Sequence, residues 1–186
     1  MFLLASAKKN LSMCSFRLLG VEKPKEEEVW STKVTKEDLE NAVEDEFGVK
    51  YSKDWKRLLE APESLSGNYS IRKGVIVIGN VAFFSRRFLT NINIPNSVTT
   101  IGHLAFSYCK SLTSINIPDS VTTIGKEAFI RCYSLTSINI PNSVTMIGND
   151  AFRECINLPS HIKSDIIQRF GRKVFCFFRL YLEPYN

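Results

Sequence analysis

Three cysteines, Cys109, Cys132 and Cys155, recur at a fixed interval of 23 residues, and such a row of thiols invites a zinc or disulfide reading. The spacing fits neither. Zinc needs four ligands converging within about 2.3 Å of one point, whereas equivalent residues on adjacent parallel strands stand roughly 4.8 Å apart and point the same way. The row reads instead as buried, reduced thiols packed as small apolar groups. Cys14 and Cys176 fall outside it, and five cysteines do not make a disulfide framework. The two histidines are no better placed: His103 sits at a position taken by Lys126 and Asn149 further along, which marks it as exposed, and His161 opens a C-terminal helix. No phosphate-binding loop, G-x-G-x-x-G, H-E-x-x-H or G-x-S-x-G occurs. No catalytic residue, metal ligand or cofactor is therefore assigned, and the chain is expected not to be an enzyme.

What remains available is a set of small polar side chains. Thr90, Asn91 and Asn93, then Thr113, Ser114 and Asn116, then Thr136, Ser137 and Asn139 recur at the same interval. Stacked, they form one column of Thr, one of Asn/Ser/Ser and one of Asn, a face that can hydrogen-bond a protein or glycan. The same ladders could equally serve only to solubilise and stabilise a repetitive sheet. Their area is small. Four or five strands at about 4.8 Å spacing offer a few hundred Å², against about 800 Å² from each partner in a standard interface. Weak multivalent contact, self-association, or help from the chain ends suits such a face better than tight binding by it alone.

The elements that position these columns are repeats. "LTNINIPNSVTTIGHLAFSYCKS", "LTSINIPDSVTTIGKEAFIRCYS" and "LTSINIPNSVTMIGNDAFRECIN" follow one another without a gap over 89–111, 112–134 and 135–157. The first pair agrees at 16 of 23 positions and the second pair at 15 of 23. A weaker copy precedes them in register, with Tyr69, Ile71, Val75 and Ile78 at the positions of Ile92, Ile94, Val98 and Ile101. A fixed period of this length marks a solenoid and lies in the leucine-rich-repeat range. Within a copy, Ile115 and Ile117 alternate with Asn116 as in a short strand with one buried face. Pro118, lacking an N–H, stops the strand. Asp119, like Asn96 and Asn142, suits the following turn. Val121 and Ile124 point inward again, and Gly125 is expected to take a backbone conformation that other residues resist. Phe129 and Cys132, three apart, are expected to share one face of a short helical turn. Stacking then builds a ladder of Phe83, Phe106, Phe129 and Phe152.

The pattern "LTSINIPxSVTTIGxxAFxxC" resembles the BspA-type leucine-rich repeat of bacteria and some protozoa over about Tyr69 to Leu158, with the IP, IG, AF and Cys at family positions. Arg86 departs from it, standing where a Cys is expected in the leading coil. The resemblance implies a short, β-rich leucine-rich-repeat solenoid of the α/β horseshoe type, with a parallel sheet on one side. It also implies a surface or secreted protein concerned with adhesion and binding, without shared catalytic residues.

Around the solenoid, 69–158 with its degenerate coil at 69–88, the ends read as caps. Residues 1–31 are expected to be poorly ordered. Residues 32–68 form an N-terminal cap: a helix over 35–47, with Thr35 and Asp38 as a weakened capping box and Leu39, Val43 and Phe47 as its apolar stripe, then a hairpin over 49–61. Residues 159–186 supply a helix carrying Ile162, Ile166 and Phe170 and ending at Gly171, then an apolar tail, 172–186, that is either an edge strand or unpaired.

The net charge of +5 is unevenly spread: residues 68–88 carry four basic and no acidic side chains, and 89–158 carry four of each. No continuous basic stripe interleaved with aromatics results, so nucleic acid is not an expected partner. No run approaches the ~20 apolar residues of a membrane-spanning helix. The opening "MFLLASAKKNLSMCSFRLLG" makes a poor signal peptide, because Lys8 and Lys9 follow its short apolar patch instead of preceding it. Either the protein stays inside the cell, or its export signal is missing or altered at this end.

The Phe ladder gives the first test. Phe129→Ala, in the middle of the stack, is expected to cost about 3–5 kcal/mol of stability. An unchanged melting temperature would contradict this burial assignment.

Overall fold

The computed structural model describes residues 31–175. The stretch 1–31, apart from Ser31, and the tail beyond 175 lie outside them, as do Cys14 and Cys176. Each repeat contributes two short strands, which stack into two sheets. One sheet holds β4 (Ser66–Ser70), β6 (Phe88–Asn93), β8 (Ser114–Asn116) and β10 (Ser137–Asn139), side by side and parallel. The other runs β1 (Val43–Glu44), β2 (Lys50–Tyr51), β3 (Arg57–Glu60), β5 (Val77–Ile78), β7 (Thr100–Ile101), β9 (Thr123–Ile124) and β11 (Met146–Ile147). Its first three strands pair antiparallel and the rest parallel. The solenoid implied by the repeat period is what forms. Its second sheet went unannounced because two-residue strands are too short to show an alternation.

Strand register is repeat register: Ile92 pairs with Ile115, and Ile115 with Ile138. A one-residue slip would turn every isoleucine outward. The buried interior is therefore a set of columns, with Leu89, Leu112, Leu135 and Leu158 beside Val98, Val121 and Val144. The phenylalanines stack nearly face to face, with centroids 5.0 Å apart for Phe83–Phe106, 5.2 Å for Phe106–Phe129 and 5.3 Å for Phe129–Phe152. Tyr69 and Phe175 close the two ends of the stack with tilted rings.

Two local expectations are corrected. The Ala-Phe segment is not a helical turn. Leu104, Tyr108, Glu127, Arg131, Asp150 and Glu154 have φ between 55° and 61°, left-handed values that interrupt a helix. This bend aims backbone N–H groups at the next coil, so that Leu104, Phe106 and Tyr108 donate to the carbonyls of Lys126, Ala128 and Ile130 at 3.0, 2.8 and 2.9 Å. A helical turn would have used those donors internally. Gly125, conversely, does not adopt a positive φ. It is required by proximity: a Cβ there would lie 2.5 Å from the Gly102 carbonyl carbon and 2.6 Å from the His103 nitrogen.

The N-terminal helix is also shorter than expected. It spans Lys36–Glu40 (α1), where 35–47 was expected, and Val43 lies in β1. The capping box forms, with Asp38 N–H donating to Thr35 Oγ1 at 3.1 Å and Thr35 N–H to Asp38 Oδ2 at 2.8 Å. The helix ends because Asn41 returns its side-chain amide to the Glu37 carbonyl (3.0 Å), and Asp45 then accepts from the Phe47 and Val49 N–H groups (3.0 and 2.9 Å). Such side-chain bonds compete with helix continuation, and they leave Phe47 55% exposed. Arg57 of β3 holds the helix by donating to Asp38 Oδ1 at 2.8 Å, and its guanidinium keeps the Asp38 carboxyl below its usual range.

The C-terminal helix, Ser160–Phe170 (α2), buries Ile166 and packs Ile162 and Phe170 against the core. Leu158 and Gly171 are 13 residues apart, as are Leu135 and Gly148. The helix thus stands in place of one coil's strands, and the register resumes after it: Phe152 N–H donates to the Val174 carbonyl at 2.8 Å. The expected boundary at 158 is no break in the repeat. No helix among the described residues is long and apolar enough to cross a membrane.

The thiol row is buried and reduced, and each sulfur donates to a phenylalanine carbonyl of the preceding coil: Cys109 to Phe83, Cys132 to Phe106 and Cys155 to Phe129, all at 3.1 Å. Burial pushes the Cys109 and Cys155 thiols from the usual 9.0 up to about 12, and Cys132 well above its usual value. Folding therefore favours the protonated thiols. Their stabilisation is fully present below pH about 9 and is lost as pH rises from there toward about 12, because only the unfolded chain ionises readily. The urea midpoint is expected to fall across that window. At pH about 8, peptide-resolved mass spectrometry should find these three thiols unalkylated by iodoacetamide in the native protein and alkylated in urea.

Candidate functional site

The strands β4, β6, β8 and β10 bring their polar side chains to one face. Asn91, Asn93, Ser114, Asn116, Ser137 and Asn139 line a shallow concavity of about 470 Å³. These are six of the nine residues singled out from the sequence. Asn91, Asn93, Asn116, Ser137 and Asn139 are exposed and Ser114 is half-buried. The threonines stand apart: Thr90, Thr113 and Thr136 form a separate column that does not line the concavity. Thr113 Oγ1 donates to the Thr90 carbonyl (3.2 Å), Thr136 Oγ1 to the Thr113 carbonyl (3.1 Å), and Thr90 Oγ1 to Asn68 Oδ1 (3.3 Å). Their hydroxyl hydrogens are committed to coil-to-coil bonding.

The amide columns are partly self-satisfied as well. Ser114 Oγ donates to Asn91 Oδ1 and Asn139 Nδ2 to Asn116 Oδ1, both at 3.2 Å. Each such bond orients an amide and leaves its remaining donors and acceptors facing the concavity. The lining also includes Asn68 and Ser70, which the sequence reading did not single out. The signal was present, because both lie one repeat before Asn91 and Asn93.

Chemically the face is neutral. None of its lining residues carries a carboxylate, amine or guanidinium. The phenol of Tyr69 donates to Asp45 Oδ2 at 2.6 Å, and burial holds its ionisation above the usual range. The arrangement can therefore donate and accept hydrogen bonds at regular intervals, with nothing that titrates near neutral pH. His103 is half-buried, with Nδ1 2.7 Å from the Lys126 carbonyl. Among the described residues no group of three or more His, Cys, Asp or Glu could hold a metal ion.

Arg86, the departure from the repeat, is buried and, like the cysteines, donates to a backbone carbonyl of the neighbouring unit. Its Nε donates to the Ala61 carbonyl at 2.7 Å and its Nη1 to the Phe84 carbonyl at 2.7 Å. Like each thiol, the guanidinium meets a carbonyl of the neighbouring unit, here just past the end of β3.

Residues 64–180 match the BspA type leucine rich repeat region in six copies. This extends beyond 69–158 at both ends, in keeping with a register that continues through Gly171. Among solved structures, the chain is similar to a leucine-rich repeat protein from Eubacterium ventriosum, with 26% identity and a TM-score of 0.54 over 63% of this chain and 38% of that one. It is also similar to a leucine rich cell surface protein from Faecalibacterium prausnitzii, with 28% identity and a TM-score of 0.51 over 71% of this chain and 43% of the other. The chain spans about two fifths of the length of these relatives. Among curated protein sequences none matches it. With more than half of its residues in the matched region, the chain belongs to the BspA-type leucine-rich-repeat family.

Proposed function

We propose that the chain is a non-enzymatic binding or adhesion module that offers its polar strand face to a protein or glycan. The observation that carries this reading is the convergence of six candidate residues, from three successive coils, on one concavity. A neutral lattice of amides and hydroxyls suits hydroxyl-rich or peptide-backbone ligands and gives charged ones no counter-ion. The likeness to a cell surface protein supports a surface location. Weak, multivalent engagement fits the small area of the face, since affinity multiplies when several such units act together. On glycan and protein arrays the native chain is expected to give ligand signals that fall about tenfold when Asn93, Asn116 and Asn139 are all replaced by Ala. A silent array, or signals indifferent to the triple substitution, would remove the reading.

One observation favours a second reading, a structural or self-associating unit with no ligand of its own. Strand β4 is the outer strand of its sheet and pairs only with β6 among the described residues. An open edge presents unpaired backbone groups to another chain. Sedimentation over a range of concentrations should then show reversible association, and a strictly monomeric protein rules this second reading out.

A further inference from the structure

The turn that follows each strand of the polar face is nearly invariant, and the one coil that breaks the pattern changes its charge. Pro95-Asn96-Ser97, Pro118-Asp119-Ser120 and Pro141-Asn142-Ser143 form this turn in the full coils, whereas the leading coil has Arg72-Lys73-Gly74. Hydrogen bonds hold the altered turn in the common register. Gly74 donates its N–H to Ser97 Oγ at 3.1 Å, and Ser97 Oγ donates to the Val75 carbonyl at 2.7 Å. Ser120 makes the same bond to the Val98 carbonyl one coil later. The Arg72 guanidinium turns aside and lies 4.2 Å from the centre of the Trp55 ring.

Lys73 lines a second concavity, of about 600 Å³, where these turns of the leading and first full coils meet the ends of β4 and β6. It adjoins the strand-face concavity and shares Ser70 and Asn93 with it. Among its lining residues Lys73 alone is charged. Ser70, Lys73, Asn93 and Asn96 are all exposed, and their side chains have no hydrogen-bond or ion-pair partner among the described residues. One ammonium, two amides and a hydroxyl thus border the same space with their donors free. The carboxylates of neighbouring elements are engaged or lie elsewhere. Asp54, next to Trp55, accepts from Ser52 Oγ and the Lys56 N–H, and Asp45 accepts from Tyr69 and from the N–H groups of Phe47 and Val49. Asp119, two coils along the same rim from Lys73, lines a separate concavity.

We propose that the strand face takes an acidic glycan, whose uronate carboxylate sits on Lys73 with Ser70, Asn93 and Asn96 around it. This rests on the strand face being the binding face and names the class of its ligand. The amide lattice itself holds no counter-ion, and the rim of the leading coil supplies one. One ammonium among neutral donors balances a single negative charge, that of one carboxylate, and the neutral hydroxyls of the neighbouring sugar units meet the Asn and Ser columns. A glycan fits better than an acidic peptide, because these two concavities offer amides and hydroxyls along their length and no aromatic or Arg anchor pocket for a side chain. Lys73 at one end of the rim and Asp119 further along it also give the face a direction, with the acidic unit bound at the leading coil.

The probes are a galacturonic acid hexamer and the galactose hexamer of the same linkage, each labelled at its reducing end, titrated with the full chain and followed by anisotropy. The acidic hexamer is expected to bind about fivefold more tightly at about 50 mM NaCl, and the preference to fall below about twofold at about 300 mM. Lys73→Gln should remove the preference and leave the neutral hexamer's affinity unchanged. Lys163→Gln, the same charge change on α2 at the other end of the stack, should keep it. The proposal is overturned if the two hexamers bind alike, if Lys73→Gln keeps the preference, if Lys163→Gln loses it, or if a glutamate hexapeptide binds as tightly as the acidic hexamer. Binding of both hexamers alike, lost on replacing Asn93, Asn116 and Asn139, sinks this proposal and leaves the strand-face reading standing. Binding of neither hexamer also sinks it, and a silent array then removes the strand-face reading separately.

Discussion

The rest of the structure depends on how closely successive coils approach at one column of glycines. At Gly102, Gly125 and Gly148 there is no space for a Cβ: on Gly125 it would sit 2.5 Å from the neighbouring carbonyl carbon. This contact fixes the pitch, and the other columns work only at that pitch. Phenylalanine rings stack at 5.0–5.3 Å, thiols reach the preceding carbonyl at 3.1 Å, and Asn139 reaches Asn116 at 3.2 Å. None of these contacts is strong alone. They share one spacing, so each supports the register the others need, and that consistency lets near-identical sequences settle in one alignment.

A stack held together by neighbours has a problem at each end, and the two ends meet it differently. At the N-terminal side the antiparallel strands β1–β3 replace a coil, and the gap is spanned by long polar groups: Arg86 to the Ala61 carbonyl, and a Tyr51–Tyr69–Asp45 hydroxyl–carboxylate chain. Both phenols are pushed above their usual ionisation range chiefly by burial, so the two tyrosines act as neutral hydroxyls. At the C-terminal side a helix occupies the residues of a strand–turn–strand while Leu158 and Gly171 keep the period. Arg169 then donates to the Ile140 and Pro141 carbonyls at 2.7 and 2.8 Å, backbone groups of the last full coil. Both ends thus set an arginine guanidinium on backbone carbonyls, Arg86 at the first coil and Arg169 at the last.

Most of the interior was legible because it is periodic. Ile92, Ile115 and Ile138 announce a column by recurrence alone, and the same is true of the phenylalanines and cysteines. What escaped the sequence was conformation without a compositional mark. Most of the left-handed turn residues are Leu, Tyr, Glu, Arg and Ser, which carry no mark for positive φ; Asp150 alone is of a type enriched there, and Val81 at 57° is β-branched and disfavoured. Inter-coil hydrogen bonds stabilise that geometry, and only the folded stack supplies them. The helix end was missed for the opposite reason. Leu39, Val43 and Phe47 have helical spacing, but Asn41 and Asp45 carry the local bonds that overrule it. At the candidate site, the amide columns were readable and the concavity was not, because curvature and the participation of Asn68 and Ser70 arise from stacking.

Regularity also bears on recognition. A face made of three nearly identical columns presents the same donors and acceptors at each step. A ligand read by such a face has either a matching repeat of its own or several equivalent registers, which raises its statistical weight and lowers its positional precision. Discrimination of one partner from another needs features that occur once. In this chain those features are on the turns, where Phe84, Tyr108, Arg131 and Glu154 occupy adjacent positions with four different chemistries along one connected ribbon. The division follows from the fold. Positions that pair coil to coil must resemble one another to keep the register, so individuality is concentrated in the turn side chains that project beyond the columns.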